Sequence, residues 1–300
     1  MKQIQNLGIE ILLLTLFIIS SCKETPPYIN LKPSNASVDT TYVSIPAPTP
    51  EQKNVVIEEF TGVRCPNCPK AQLEATKISD NNPGRINIIT AHPLNEYNSL
   101  TTPFGSGEPH PSKYDFRTDA GAQIFNMTGK ESGSLPIGNV NRKLHSGETR
   151  FNISFDKWSA AVTTELALPT PVNINVNANN TGDSISIECT LKYTESVLDS
   201  HYVSIFIIES GMVDVQESTD INGLPIYEEN YVHRHVLRAV VTDYFGDLLK
   251  AKLEPGRVFY KKYKFKRDPA WVKTNLDVIA SVHMNTTKKY VVHSKETPVK

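Results

Sequence analysis

Between Val55 and Ile89 the chain spells out a strand, a helix and a second strand, and that order restricts the fold more than any other feature of the sequence. Val55-Val56-Ile57 is a short apolar run of the kind a strand buried on both faces requires. Residues 66–80 carry a helical pattern. Asn81-Asn82-Pro83-Gly84 closes it with residues that stop a helix. Ile86-Asn87-Ile88-Ile89 then resumes as a strand. Two strands joined through a helix run parallel, and the crossover takes the right-handed path over one face of the sheet.

At the joint between the first strand and the helix stands Phe60-Thr61-Gly62-Val63-Arg64-Cys65-Pro66-Asn67-Cys68. Two cysteines separated by two residues can close a small disulfide. If Cys65 opens the helix, the dipole and the unpaired N–H groups there favour its thiolate, and Arg64 adds a positive charge nearby. A lowered thiol pKa improves both attack and departure in disulfide exchange. The chemistry would be attack by Cys65 on a substrate disulfide, followed by release through Cys68. The same pair also suits an inert structural disulfide. The residues leave both readings open. Zinc is not expected, because no second cysteine pair completes a site, and no other metal or cofactor is implied. Cys189, in Ile187-Glu188-Cys189-Thr190-Leu191, reads as a small buried strand residue.

Downstream, residues 92–118 hold several prolines and glycines and read as a long surface excursion, a length more often functional than merely connecting. Asp119 can cap a helix over Ala120–Met127 that Gly129 ends. Leu135-Pro136-Ile137-Gly138-Asn139-Val140 enters a strand. Trp158, Val162 and Leu166 repeat at helical spacing near residues 155–167. Leu168-Pro169-Thr170-Pro171 is a plausible domain boundary. Beyond it the pattern is all strand: residues 172–176, 184–187, 203–208, 236–241, 258–265 and 278–283, separated by turn residues. That spacing suggests an antiparallel β-sandwich. The expected fold class is therefore α/β plus all-β. His233 and His235 alternate on a strand and suit an exposed face better than a metal site lacking a third ligand. Lys261-Lys262-Tyr263-Lys264 suits a solvated strand edge, where lysines discourage edge pairing.

The N-terminus carries a different signal. Lys2 precedes the apolar run Ile11–Ile19, which is too short for a helix crossing a bilayer, since that needs about 20 residues, but right for a secretory signal. Ile19-Ser20-Ser21-Cys22 resembles the bacterial lipobox. This resemblance implies removal of residues 1–21 as a signal peptide and lipidation of Cys22, with enough acyl chains for a stable membrane anchor. Six prolines between residues 23 and 52 make 22–52 a semi-extended tether. Lys23 after the anchor favours the outer membrane in the sorting logic this resembles; periplasmic and cell-surface faces both remain open. Lys plus Arg number 31 against 32 Asp plus Glu, a net charge of -1, so nucleic acid is not an expected partner.

Two family resemblances bear on function. The strand ending at Phe60, followed by Cys65-Pro66-Asn67-Cys68, resembles the thioredoxin superfamily over residues 53–168, with residues 92–118 as an insertion. That resemblance implies roles for two further residues: Glu59 as a buried acid taking a proton from Cys68, and Pro136 as a cis-proline facing the disulfide. Arg64 stands where thioredoxins carry an aromatic residue, and Pro69 early in the helix is a second departure. The whole chain is similar to the outer-membrane-protein-28-like lipoproteins, whose recurrent segment Tyr231-Val232-His233-Arg234-His235-Val236-Leu237-Arg238 resembles. The architecture so implied is a thioredoxin-like domain over 53–168 followed by an immunoglobulin-like β-sandwich over 169–300. Two functions fit it: thiol–disulfide exchange on envelope proteins through Cys65 and Cys68, or non-enzymatic binding of a surface ligand with the pair as a structural disulfide. Exchange predicts an exposed Cys65 beside a cis Pro136. A binding module predicts a buried disulfide.

Overall fold

In the computed structural model the pairing of strands carries the first half of the chain directly into the second; residues 36–129 and 134–300 are described. The first half comprises β1 (Val38–Val43), β2 (Val55–Phe60), α1 (Cys68–Asp80), β3 (Ile86–Pro93), the single turn α2 (Asn98–Thr101), β4 (Arg117–Thr118), α3 (Asp119–Thr128), β5 (Ile137–Val140) and α4 (Trp158–Leu166). Ten strands follow: β6 (Val172–Thr181), β7 (Ser184–Tyr193), β8 (His201–Glu209), β9 (Met212–Thr219), β10 (Pro225–His233), β11 (Val236–Val240), β12 (Asp247–Leu248), β13 (Arg257–Lys266), β14 (Leu276–Met284) and β15 (Val291–Pro298). The expected signal peptide, the lipidation site Cys22 and residues 23–35 of the tether lie outside the described residues.

One mixed sheet runs in the order β15-β14-β8-β11-β3-β2-β5, with β12 on β8 and β4 on β3. Its β2 and β3 are parallel, with Ile57 opposite Ile88, as the strand–helix–strand pattern requires. β5 lies antiparallel on the outer side of β2. On the other side β11 pairs with β3 through Val236 and Thr90, and Thr90 N–H donates to the His235 carbonyl at 2.8 Å. The sheet therefore crosses the expected boundary at 168–171, and the described residues fall in one compact unit.

A second sheet, β1-β13-β7-β6, packs face to face on the β8–β14 part of the first. Its β6, Val-Asn-Ile-Asn-Val-Asn-Ala, alternates buried and exposed positions, sending Val172, Ile174, Val176 and Ala178 into the core against Val203, Ile205, Ile207 and Val278. β8 is buried along its whole length because both of its faces are covered. Its second face, with Phe206 and Ile208, joins Phe60, Ile89, Ile124 and Phe125 beneath α3. On the β2–β3–β5 part, α1 and α4 cover the other side, where Trp158 and Val162 meet Ile57, Ile88 and Ala75.

Three expectations change. Residues 38–52, read as tether, lie on the fold: β1 pairs along β13 from Val38–Lys262 to Val43–Arg257, and the Glu51 carboxylate accepts from Ile174 N–H at 2.7 Å. Val-Asp-Thr-Thr-Tyr-Val has the β-branched and aromatic content that favours a strand, which proline counting upstream and downstream obscures. Because β1 covers β13, the lysine run is not an edge: Lys261 is buried and donates to Asp39 Oδ2 at 2.7 Å. The cap of α3 is Thr118, whose Oγ1 accepts from Gly121 N–H at 3.0 Å, with Asp119 as the first helical residue. Gly129, at φ 99°, ends that helix.

Candidate functional site

The Cys-Pro-Asn-Cys segment sits where β2 ends beneath two covering elements. After Thr61 the chain makes two tight turns, Cys65 N–H to the Gly62 carbonyl at 3.1 Å and Cys68 N–H to the Cys65 carbonyl at 3.1 Å. The helix begins at Cys68, with Asn67 as its cap. Pro69 falls in the first turn, where a missing N–H costs nothing. The dipole therefore acts on Cys68, and Cys65 lies three residues before the helix. Cys65 and Cys68 form a disulfide with a Cα–Cα separation of 5.4 Å. Their exposures are 1% and 2%, so the pair is sealed from solvent.

The first cover is the 92–118 excursion. Gly62 is required there, because a Cβ at that position would stand 2.3 Å from the Leu100 carbonyl oxygen. Arg64 N–H donates to that same carbonyl at 2.9 Å. The Arg64 side chain turns outward: Nε donates to the Thr102 carbonyl at 2.8 Å, Nη2 pairs with Glu108 at 2.7 Å, and the guanidinium lies 4.1 Å over Phe104. Its charge is thus compensated by Glu108 and not offered to a cysteine sulfur.

The second cover is the β9–β10 hairpin, which forms a two-stranded sheet of its own. Gln216 Nε2 donates to the Gly62 and Cys65 carbonyls at 3.1 and 3.2 Å, and Glu217 N–H donates to the Val63 carbonyl at 2.8 Å. Val63, Phe104, Phe116, Met212, Val215 and Val236 pack into one apolar cluster. The buried Asp214 carboxylate joins the covers by accepting from Lys113 N–H at 3.0 Å and Tyr114 N–H at 2.9 Å. Tyr231 on the hairpin hydrogen-bonds Gln72 on α1.

Beneath these covers Cys68 shares a small cavity of about 10 Å³ with Glu59, Thr90, His92, Tyr231 and His233. That is room for about one water molecule. Glu59 is wholly buried, and Thr90 Oγ1 donates to its Oε2 at 3.4 Å. Glu59 Oε1, both ring nitrogens of His92 and Nε2 of His233 have no hydrogen-bond partner among the described residues. Burial pushes the Glu59 carboxyl up to about 8. Burial, then repulsion from His233, pushes His92 down to about 3, and burial takes His233 to about 4. Near pH 7 the cavity therefore holds a protonated carboxyl and two neutral imidazoles, the forms a site with little water stabilises.

Of the residues singled out in the sequence, Cys65, Cys68 and Glu59 come together. Leu135–Pro136 is a cis peptide at the start of β5; Pro136 is half-buried, and Leu135 packs in the cluster that holds both cysteines. Cys65 is buried beneath the hairpin and the excursion, as a binding module predicts and exchange does not. Two readings are corrected. His233 is buried between Phe116, at a ring-centroid distance of 4.4 Å, and Tyr231, at 4.9 Å. His235, at φ 54°, is half-buried, so neither histidine presents an exposed strand face. Gln216, His92 and Tyr231 escaped sequence reasoning. A signal for His92 was present: it stands near the carboxyl end of a parallel strand, where such sheets place their sites. Cys189 is wholly buried, and burial pushes its thiol up to about 12.

Comparison with known proteins gives a family and a fold. The family model described as outer membrane protein Omp28 matches residues 120–299, more than half of the chain. Among solved structures, HBP35 of Porphyromonas gingivalis is similar at 19% identity and a TM-score of 0.62, over 83% of this chain and 76% of that one. A domain of the outer membrane lipoprotein Omp28 from Porphyromonas gingivalis matches at 20% identity and a TM-score of 0.31, over 44% of this chain and 89% of that one. No curated protein matches. Among the described residues no helix is long and apolar enough to cross a membrane.

Proposed function

Because the chain belongs to the Omp28 family of outer membrane proteins, we propose that it is an outer-membrane lipoprotein, held by lipid on Cys22, whose folded part is a non-enzymatic binding module stapled by Cys65–Cys68. The architecture we infer is a thioredoxin-like half joined to an immunoglobulin-like half. Parallel β2 and β3 with antiparallel β5 support the first, and the two face-to-face sheets support the second. The observation that carries the binding reading is the seal. An exchange centre must present a sulfur to a substrate disulfide along the S–S axis, whereas here the covers leave each cysteine almost no exposure.

The test is reduction of the native chain carrying Cys22→Ser, with alkylation of free thiols read by mass spectrometry. Cys65 and Cys68 stay oxidised under a dithiol reductant that reduces the same protein rapidly in denaturant, and insulin is not reduced. Reduction at equal rates in both states refutes the staple.

One observation favours a second reading, thiol–disulfide exchange on envelope proteins with the hairpin as a gate. Cys68 and Glu59 line the same cavity. In that chemistry the Cys65 thiolate attacks a substrate disulfide, forming a mixed disulfide and expelling one substrate thiolate, which takes a proton. With the hairpin open, water reaches Glu59 and its carboxyl ionises; Cys68 gives its proton to that carboxylate and attacks the Cys65 sulfur, closing Cys65–Cys68 and releasing the second substrate thiolate. Each cycle oxidises the pair by two electrons and requires an external dithiol to reset it. Under this reading Cys68→Ser traps mixed disulfides in cells; their absence excludes it.

A further inference from the structure

Apart from the cysteine site, a pocket of about 400 Å³ opens between the turn after β5 and the turn joining β14 to β15. That volume lies in the range of small-molecule sites. Leu144, Phe151, Met284 and Tyr290 give it an apolar wall. Four cations also line it, and they are not equivalent. Arg142 is committed to Glu58, with Nε 2.9 Å from Oε2, and Lys143 to Glu165 at 2.7 Å. Lys288 and Lys289 have no carboxylate partner among the described residues, and no Asp or Glu lines the pocket. Lys289 Nζ donates to Asn285 Oδ1 at 2.9 Å. Burial, then the charge of Arg142, disfavours its ammonium form. An anion beside it would reverse that penalty.

The backbone of the wall is itself unusual. Asn141 and Arg142 stand consecutively in the left-handed region, at φ 54° and 49°, and neither is glycine. Their side chains hold them there. Asn141 Oδ1 accepts from Val56 N–H at 2.9 Å while its Nδ2 donates to Glu165 Oε2 at 2.9 Å, and Arg142 is locked onto Glu58. An unfavourable conformation fixed by several buried partners is the kind that persists where a site must keep its shape.

We propose that this pocket binds a small amphipathic carboxylate, its chain against Leu144, Phe151, Met284 and Tyr290 and its head between Lys288 and Lys289. The site is separate from the cysteine pair, and the proposal holds whether that pair is a staple or an exchange centre.

The experiment is calorimetric titration of the full chain carrying Cys22→Ser, so that no attached acyl chain competes, with decanoate, 1-decanol and decylamine. Decanoate binds one to one. Decanol binds at least about tenfold more weakly, the worth of a charge-assisted contact, and decylamine more weakly still. Lys288→Gln with Lys289→Gln brings decanoate down to the affinity of decanol and leaves decanol unchanged. Methyl resonances of Leu144 and Met284 shift on binding. Equal affinity for the three ligands, decanoate binding indifferent to the two substitutions, or shifts confined to other methyls each overturns the assignment.

Discussion

Replacing Glu59 with glutamine removes one proton equilibrium from the cavity beside Cys68, and its effect is a slope. In the native protein the carboxyl holds its proton up to about pH 8, whereas the ordinary value is 4.5. Between those values the native state binds one more proton than the unfolded chain, so its contribution is complete below pH 4.5 and is lost as pH rises toward 8. The rate of loss is about 1.4 kcal/mol per pH unit. From pH 5 to pH 8 that amounts to about 4 kcal/mol. His92 and His233 act in the opposite sense and lower in pH. They stay neutral in the fold down to about 3 and 4 while the unfolded chain protonates near 6.5, so stability rises with pH through that lower window. The windows overlap between 4.5 and 6.5, where two histidines outweigh one carboxyl, so the summed contribution of these three groups is greatest near pH 6.5 and falls above it. Subtraction isolates Glu59, because glutamine copies its neutral form and leaves the histidines in place. Urea titrations of oxidised protein at pH 5, 6, 7 and 8 should find Glu59→Gln near wild type at pH 5 and more stable by about 4 kcal/mol at pH 8, with unchanged urea dependence. A difference constant across pH refutes the claim that Glu59 is sealed and protonated.

Two further perturbations test how the site is held. Glu58→Gln leaves Arg142, whose side chain is 1% exposed, as an uncompensated buried charge. It should cost about 3–5 kcal/mol in chemical denaturation, most of which returns in Glu58→Gln with Arg142→Met. Gly62→Ala places a methyl group 2.3 Å from the Leu100 carbonyl oxygen and pushes the excursion outward. The disulfide should then be reduced several-fold faster in the native state, and an unchanged rate would show that the excursion is no part of the seal.

The parts of this fold legible in the sequence are those whose burial pattern is local. Val55–Ile57 and Ile86–Ile89 announce themselves because both strand faces are covered, and β6 because one face is. The hairpin was not legible. β10, Pro-Ile-Tyr-Glu-Glu-Asn-Tyr-Val-His, is exposed along most of its length, so no apolar periodicity marks it. β1 was hidden for the same reason: an edge strand with mostly exposed side chains resembles a tether in composition. The site follows suit. Cys65, Cys68 and Glu59 lie within ten residues of one another, and one motif finds all three. Gln216, Tyr231 and His233 reach the cavity only through a hairpin far along the chain, whose position depends on Asp214 capturing backbone from residues 113 and 114.

That long-range dependence bears on what the two halves could do apart. Besides β2, β3 pairs with β11 at Thr90 and with the short β4 at His92 and Pro93. Residues 53–168 alone would keep β4 but leave β3 unpaired at Thr90 on the side that β11 covers. The apolar face beneath α3 would lose Phe206, Ile208, Leu237 and Ile279, all contributed from beyond residue 200. The cavity would lose His233, Tyr231 and Gln216 together, and with them the burial that raises Glu59. A protonated Glu59 and a sealed disulfide are therefore properties of the joined sheet, although the motif that suggests them lies wholly in the first half. Displacing the hairpin would favour the ionised form of Glu59, by removing part of its burial, and would lift one of the two covers over Cys65.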